Sequence, residues 1–179
     1  MLFVGIDPDL HCTAIGYWGN GKPTGAEVIE TKRAKGVIEQ AAVLEMVRAL
    51  AENLGTYHNA VYAVEAQTLH VTGLKQHKRP QDIVTLGNVA GAILGIIHAS
   101  PIAGVMFPTA KEWKGQIPKA VMQARFYTDL KWGYEMVGKG YARPVRPPSE
   151  FSNIGKTDWK HVGDALMLAK WASLNWNSK

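Results

Sequence analysis

Three acidic residues stand where apolar segments of the sequence end or where a helix begins. Asp7 closes the first apolar segment and is followed by Pro8, which cannot donate to a sheet and should end the strand. Glu65 closes a second apolar run, and Asp164 follows His161 in a stretch expected to open the last helix. Burial of an ionised carboxylate is unfavourable unless a partner compensates its charge. The acids are therefore predicted to share a divalent metal ion, although each taken singly also fits a turn, surface or helix-capping role.

The residue types in this set suit a hard metal ion. His161 and Asp164 are three positions apart, which places them on one helix face. Carboxylate oxygens with one imidazole favour Mg²⁺ or Mn²⁺ over structural zinc, and two such ions about 4 Å apart can hold a phosphodiester for hydrolysis. A covalent nucleophile is not indicated, since Cys12 has no partnered histidine and no serine lies in an elbow motif. Asp158 is expected to cap the last helix.

Composition and charge narrow the class of protein. The chain has 179 residues, 46% of them hydrophobic and 20% charged, which suits one globular domain over residues 1–179. Its net charge of +5 fits a nucleic-acid partner. Cys12 is the only cysteine, which excludes an internal disulfide and favours a reducing, cytoplasmic setting. We expect no signal peptide and no membrane span, because the most apolar run, 83–97, is shorter than the ~20 residues that cross a bilayer.

Hydrophobic periodicity predicts strands followed by alternating helices and strands. Strands are expected at 2–7, 13–18, 26–30, 60–64 and 104–107, and helices within 36–54, from Asp82, at 109–113, at 119–132 and from about 158 to 176. Residues 133–156 are expected to form a long basic loop rich in Gly and Pro. The helix that begins near Asp82 carries Gly87, Gly91 and Gly95 on one face. Tight packing on the sheet is the favoured explanation for these glycines, and contact with a partner subunit is the alternative.

The order of these motifs resembles that of a known nuclease family. Gly5-Ile6-Asp7-Pro8 is followed by Thr13 and Gly16-Tyr17, then by Val64-Glu65, then by His161-x-x-Asp164-Ala165-Leu166. This pattern covers nearly the whole chain and is similar to that of the RuvC-type Holliday junction resolvases. The resemblance implies an α/β fold of the ribonuclease H-like type, in which helices flank a central mixed β-sheet whose first half is antiparallel.

The resemblance also implies a function and a site. It implies a dimeric endonuclease that resolves four-way DNA junctions by paired, symmetric nicks in DNA recombination and repair, with Mg²⁺ or Mn²⁺ as the cofactor. Asp7, Glu65 and Asp164 match the family's catalytic metal ligands, and His161 occupies the position three residues before the last aspartate, where the family has aspartate or histidine. Residues 82–95 resemble the helix that contributes to the family's dimer. The implied partners are four-way junction DNA and a second copy of the chain, in the cytoplasm of a bacterial or phage-infected cell.

Basic residues outside the acidic set are candidates for contacts with DNA phosphates, which supply the electrostatic part of DNA binding. Lys111 and Lys119 resemble the family's basic positions near the cleaved strand, and the other candidates lie in two basic segments. The alternative is that all of them are ordinary solvated side chains. The predicted DNA-binding residues are Lys75, Lys78, Arg79, Lys111, Lys119, Lys139, Arg143 and Arg146.

Three features depart from the family pattern. Asp9 stands where the family usually has glycine, no aromatic residue follows Glu65 in Gln67-Thr68-Leu69, and the loop at 133–156 is longer than in bacterial members. The missing aromatic leaves open which residue probes the centre of the junction. A divergent member, such as one from a phage or prophage, fits all three features.

Other functions remain open on the sequence. A broader nuclease for branched or flapped DNA, or an integrase-like enzyme, uses the same acids and is the principal alternative. A non-catalytic DNA-binding module explains the basic segments but not the three acids. Actin-like and sugar-kinase ATPases share the fold type, but they need a much longer chain and a glycine-rich phosphate turn where this chain has Asp9-Leu10-His11.

Overall fold

The first three strands form an antiparallel meander. The computed structural model describes residues 1–31, 39–54, 57–66, 80–138 and 140–177. β1 (Leu2–Asp7), β2 (Cys12–Gly19) and β3 (Lys22–Glu30) pair antiparallel, as predicted. Asn20 and Gly21, with φ of 52° and 76°, form the two-residue turn before β3. β3 begins at Lys22, earlier than the predicted start at residue 26. Pro23 does not prevent the earlier start, because β3 is an edge strand and an edge strand admits proline.

Two further strands join the other side of β1 in parallel. β4 (Val61–Val64) pairs with β1, and β5 (Gly104–Met106) pairs with β4. The sheet order is therefore β3-β2-β1-β4-β5. Helices α1 (Glu39–Asn53) and α2 (Pro80–His98) lie in the connections that lead to β4 and β5, as parallel pairing requires. The mixed sheet with an antiparallel first half confirms the fold expected from the sequence.

Alternation along the strands directs side chains into two separate cores. On one face, Val4 and Ile6 of β1 pack with Met46 of α1 and Ile93 of α2. The opposite face is covered by α5 (Trp159–Asn175), the last helix, which forms the second apolar cluster together with an aromatic-rich set of side chains. The sheet is thus buried on both faces, which explains its nearly continuous apolar strands.

Two glycines let α5 lie directly on the sheet. Gly5 of β1 and Gly16 of β2 are partners in the antiparallel register. A Cβ added to Gly16 would lie 2.6 Å from the backbone nitrogen of Leu166, and one added to Gly5 would overlap the carbonyl oxygen of Ala165. The backbone of α5 therefore rests on the backbone of β1 and β2, and no larger residue fits at either position.

The short helices after β5 begin as the sequence indicates. Thr109 precedes α3 (Ala110–Lys114) and forms a reciprocal capping box with the glutamate three residues later. Gly115, with φ of 62°, ends α3. α4 (Lys119–Asp129) ends before the predicted limit at residue 132, because Lys131 adopts a φ of 60°, which a right-handed helix cannot continue.

The segment 133–156 differs from the long loop that the sequence predicted. It contains a hairpin of two antiparallel strands, β6 (Tyr134–Val137) and β7 (Tyr141–Pro144), and a short 3-10 helix at Ser149–Phe151. Each strand has four residues, too few for alternation to be recognised in a segment rich in Gly and Pro. Tertiary packing holds the hairpin, since Ala142 is fully buried in the same cluster as the side chains of α4 and α5.

The glycines of α2 face away from the sheet, so the favoured explanation of sheet packing is wrong. Among the described residues, a Cβ added to Gly87, Gly91 or Gly95 would meet nothing within 4 Å. Val89 and Ile93, on the other side of the helix, are fully buried. The glycine face of α2, made of Gly87, Gly91 and Gly95, therefore packs against no other part of the described chain. α2 is also strongly apolar, yet no helix in the described part of the chain is long and apolar enough to cross a membrane.

Replacement of Gly16 by alanine should destabilise the protein, because the added methyl group meets the backbone of α5. Overpacking of this kind costs about 1–3 kcal/mol, and denaturant unfolding monitored by circular dichroism measures it. Gly19→Ala in the same strand is the matched control, since its new Cβ would lie 3.5 Å from the nearest atom, a Thr24 methyl carbon. Equal effects of the two substitutions would show that α5 does not rest on Gly16.

Candidate active site

The ends of two neighbouring strands carry the first two acids. Asp7 is the last residue of β1 and shares its face of the sheet with Gly5, which lies under α5. Glu65 directly follows β4, and its backbone N–H donates to the carbonyl oxygen of Ile6 at 3.1 Å. Because β1 and β4 are parallel neighbours, Asp7 and Glu65 emerge at the same edge of the sheet.

Helix α5 brings two further side chains to this edge. His161 lies in its first turn, with ring atom Nδ1 3.0 Å from Oδ2 of Asp7. Asp164 lies about one turn later and is 4% exposed. An ionised carboxylate can only accept, so Nδ1 of His161 donates in this contact, and in the neutral imidazole Nε2 then has the free lone pair. The close approach of α5 to the sheet is what makes this contact geometrically available.

Two lysines lie among the acids. Nζ of Lys119, at the start of α4, is 2.8 Å from Oδ2 of Asp164. Nζ of Lys114, at the end of α3, is 3.9 Å from Oε2 of Glu65 and 3.8 Å from Oδ2 of Asp164. Lys114 therefore links the acid that follows β4 to the acid on α5, and the four predicted site residues form one group with these two ammonium groups.

Two neutral side chains donate to the buried acids. Nε1 of Trp113 donates to Oε2 of Glu65 at 3.0 Å. Nε2 of Gln123 donates to Oδ1 of Asp164, also at 3.0 Å. Each buried carboxylate thus has both a charged neighbour and a neutral hydrogen-bond donor, as buried polar groups require.

Sequence reasoning does not find three residues of this site, namely Trp113, Lys114 and Gln123. Gln123 follows Lys119 by four positions on α4, so helical spacing places the two side chains on one face and could have identified Gln123 as a site residue. Trp113 and Lys114 belong to a helix of five residues, in which periodicity defines no face. Their contacts with Glu65 depend on how α3 docks beside β4, which is a tertiary property.

The environment of the acids disfavours their charged forms. Burial, followed by the nearby charge of Asp7, raises the pKa of Glu65 from 4.5 to about 7, while Lys114 opposes this shift. Burial likewise raises the pKa of Asp164, against the opposing effect of Lys119. Burial alone would lower the pKa of Lys119, but the charges of Asp164 and Asp7 outweigh it and raise that pKa. Burial therefore disfavours the ionised form of these acids more than the lysines favour it, and an added cation would offset this difference.

The donor set fits a hard divalent cation. Three carboxylates and one imidazole come from the ends of β1 and β4 and from the first two turns of α5. Oxygen donors with a single nitrogen match the preferences of Mg²⁺ and Mn²⁺. A cation would also offset the burial, and the smaller repulsion from Asp7, that raise the pKa of Glu65 and Asp164. The residues that could hold it are Asp7, Glu65, His161 and Asp164.

The predicted DNA-binding residues are distributed unevenly. Lys119 lies against Asp164 inside the site, and Arg143 of β7 is paired with Glu135 of β6. Lys111 and Arg146 are exposed. Four of the predicted residues lie outside the described part of the chain, as does segment 67–69: Lys75, Lys78, Arg79 and Lys139.

Asp158 does not cap α5 in the way the sequence predicted. It stands at the N-cap position, but its side chain makes no capping hydrogen bond. Its carboxylate instead approaches Cys12 and Glu30, and one ligand atom from each of the three lies within 4.8 Å of the others. Burial, followed by the charges of Asp158 and Glu30, raises the pKa of the Cys12 thiol to about 12. The thiol therefore stays protonated at neutral pH, which disfavours metal binding at this second cluster.

The strand order and the helices on both faces define a ribonuclease H-like fold. No protein-family model and no curated protein sequence matches the chain. Among solved structures, Thermus thermophilus RuvC is similar with a TM-score of 0.52 at 17% identity, over 97% of this chain and 93% of that one. T. thermophilus RuvC in complex with Holliday junction substrate is similar with a TM-score of 0.53 at 15% identity, over 97% and 92%. The likeness confirms the expected fold.

The stability of the metal-free protein should depend on the ionisation of Glu65. Burial raises the pKa of Glu65 in the folded state from 4.5 to about 7. The contribution of protonated Glu65 to the free energy of unfolding is therefore fully present below pH 4.5 and is lost as the pH rises through about 7. Glu65→Gln removes this loss, so the variant should gain roughly 3 kcal/mol relative to wild type over that interval. Urea unfolding in EDTA across the pH range measures the difference.

The same variant provides a control for this prediction. Saturating Mg²⁺ should reverse the advantage of Glu65→Gln at pH 8, because the ion stabilises only the protein that retains the full set of acids. A difference between variant and wild type that is independent of pH in EDTA would contradict the raised pKa.

Proposed function

We propose that the chain is a metal-dependent endonuclease that resolves four-way DNA junctions by paired, symmetric nicks. The observation that carries the proposal is the convergence of Asp7, Glu65 and Asp164 with His161 at one edge of a ribonuclease H-like sheet. The likeness to RuvC, one structure of which contains a Holliday junction substrate, supports the choice of substrate. On this proposal, residues 1–179 form one nuclease domain that acts in DNA recombination and repair in a bacterial or phage-infected cell.

The acidic group and His161 have complementary parts in the proposed reaction. Asp7, Glu65, Asp164 and His161 would hold Mg²⁺ or Mn²⁺. When bound, the ions supply charge neutralisation, acidification of water and stabilisation of the scissile phosphate. Donation from Nδ1 to Asp7 orients the His161 ring, so Nε2 is available as a ligand or as the acceptor for the proton of the attacking water.

Lys114 and Lys119 are suited to move from the acids to the phosphate of a bound substrate. Both ammonium groups lie against the acids, and the Lys114 contacts, at 3.8 and 3.9 Å, are longer than a direct hydrogen bond. A phosphodiester that enters the site brings a new anionic partner within reach of these flexible side chains. They would then stabilise the charge that develops on the phosphate as water attacks and the 3′ oxygen leaves. The expected ends are a 5′-phosphate and a 3′-hydroxyl.

Exposed basic residues extend the proposed DNA surface away from the acids. Lys111 on α3 and Arg146 after β7 are free to approach phosphates, whereas Arg143 would first have to leave Glu135. Contacts of this kind position DNA without reading its sequence. The remaining proposed phosphate contacts are Lys75, Lys78, Arg79 and Lys139.

Two cuts in one junction need two sites, which a two-fold homodimer supplies. The glycine face of α2 is the proposed interface, because the absence of side chains lets a partner backbone approach closely. Val84, 56% exposed on the same helix, offers additional apolar surface.

Removal of a metal-binding carboxylate should abolish cleavage without abolishing DNA binding. Asp7→Asn, Glu65→Gln and Asp164→Asn should each reduce cutting of a labelled four-way junction in Mg²⁺ by more than about 100-fold, since loss of a ligand exceeds loss of an outer-sphere partner. Junction affinity in EDTA should remain, because the basic surface is intact. Near wild-type cutting by any of these variants would remove that residue from the proposed ligand set.

Substitutions at His161 separate a functional role from a surface role. His161→Asp should retain more activity in Mg²⁺ than His161→Ala, because a carboxylate also serves this ion. Initial rates of junction cleavage measure the difference. Activity of His161→Ala equal to wild type would show that the ring takes no part in the reaction.

A plasmid that extrudes a cruciform distinguishes junction resolution from broader nuclease activity. Paired cuts within one binding event convert the supercoiled plasmid directly to linear DNA. Gly91→Leu should disrupt the proposed interface, shift the protein toward monomer in sedimentation and cause open circles to accumulate. Persistent open circles from the wild-type protein, or equal cutting of flaps and plain duplex, would favour the broader structure-specific or integrase-like nuclease.

A further inference from the structure

Gln123 is a fully buried polar residue on α4 whose amide connects this helix to α5 and to β7. Its Nε2 donates to Oδ1 of Asp164 at 3.0 Å and to the carbonyl oxygen of Lys160 at 3.2 Å. Its Oε1 accepts the backbone N–H of Ala142 at 3.1 Å. An exchange of the amide oxygen and nitrogen would set an oxygen against the carboxylate and leave the Ala142 N–H unpaired. The three contacts therefore permit one orientation of the amide.

Helix α5 leaves room for this amide at Gly163. A Cβ added to Gly163 would overlap the hydroxyl of Tyr127 and lie 2.8 Å from Nε2 of Gln123, so a larger residue would also push the amide away from Asp164. A glycine inside a helix costs about 1 kcal/mol relative to alanine. The space needed by Gln123 and by the Tyr127 hydroxyl gives a physical reason for a glycine at this position.

The third contact connects the amide to the hairpin of β6 and β7. Ala142 is fully buried, and its N–H is directed to Gln123 rather than into the ladder with β6. β7, whose backbone holds the amide, also carries Arg143 and is followed by Arg146. Both arginines are among the proposed contacts with DNA phosphates. The position of β7 is thereby linked to the carboxylate of Asp164 through a single side chain.

We propose that Gln123 is a positioning residue that fixes the Asp164 carboxylate for metal binding, and that the β7 backbone at Ala142 fixes Gln123 in turn. The inference rests on the proposed function, in which Asp164 is a metal ligand. Gln123 donates to Oδ1, so a cation would bind at Oδ2 in place of the Lys119 ammonium group, which lies 2.8 Å from that atom. Outer-sphere partners of ligating carboxylates typically contribute 10–100-fold to metal affinity or activity.

Binding of Mn²⁺ alone, followed by electron paramagnetic resonance without DNA, tests the proposal directly. Gln123→Met keeps the side-chain length and removes both the donor and the acceptor, and it should weaken Mn²⁺ binding by about 10–100-fold. Gly163→Ala in a Tyr127→Phe background keeps the amide but sets the new methyl carbon 2.8 Å from Nε2 of Gln123, which displaces the amide from Asp164. It should weaken Mn²⁺ binding in the same direction by a smaller factor.

Tyr127→Phe is the matched control for these variants. Tyr127 lies one turn after Gln123, and its hydroxyl reaches the same gap at Gly163. This hydroxyl is buried and has no hydrogen-bond partner in the described part of the chain. Its removal should leave Mn²⁺ affinity unchanged, which separates loss of the Gln123 contacts from general disturbance of the packing.

A double-mutant cycle distinguishes positioning from a merely structural role. In an Asp164→Asn protein, Gln123→Met should cause no further loss of Mn²⁺ affinity, because the carboxylate on which it acts is gone. On a four-way junction, Gln123→Met alone should lower kcat and leave KM unchanged. A structural role would instead lower thermal stability while the folded protein bound Mn²⁺ normally.

The proposal is overturned if Gln123→Met binds Mn²⁺ as tightly as Tyr127→Phe, or if its effect adds fully to that of Asp164→Asn. If Gln123→Met does not fold, the Gly163→Ala/Tyr127→Phe protein, compared with Tyr127→Phe alone, decides by the same criteria. A wild-type protein that shows the expected Mn²⁺ pattern but cuts no branched DNA would contradict the proposed function and support the positioning role. A wild-type protein that binds no Mn²⁺ would overturn both.

Discussion

The direct contact between the backbone of α5 and the paired glycines of β1 and β2 sets the geometry of the candidate site. Gly5 and Gly16 face each other in the sheet, and neither has room for a Cβ beneath the helix. This contact fixes α5 at a depth where His161 reaches Asp7 at 3.0 Å. Because hydrogen bonds weaken steeply with distance and angle, a helix raised by even one methyl group would lose that contact. The geometry of the candidate site thus depends on the absence of a Cβ at Gly5 and Gly16.

Around this contact, the site holds charges that the rest of the fold compensates only in part. Asp164 is almost fully buried, and burial raises the pKa values of both Asp164 and Glu65. Lys114 and Lys119 lie close to these acids, and Trp113 and Gln123 donate to them. An apolar core could not hold such groups, since each unpaired buried charge is strongly unfavourable. The contacts hold the acids in fixed positions, and an added cation would offset the burial that disfavours their charged forms, as the proposed function requires.

Much of the fold followed from local sequence signals. Pro8 after Asp7, the Asn20-Gly21 turn and the capping box at Thr109 specify where elements end, because each acts through the dihedral angles or hydrogen bonds of adjacent residues. The hairpin at residues 134–144 lacked such a signal. Its short strands are held by the burial of Ala142 and by the aromatic cluster below it, so its existence depends on residues distant in the sequence.

The same distinction applies to the site. The sequence by itself determined where the candidate side chains lie, since Asp7, Glu65, His161 and Asp164 stand at strand ends and on one helix face, and those positions follow from periodicity. Only the tertiary structure decided what surrounds them. Lys114 meets Glu65, and the amide of Gln123 meets Asp164, through the docking of α3 and α4 beside the sheet. Periodicity defines the face of an element but not its neighbour, because the neighbour is selected by packing and charge compensation over the whole fold.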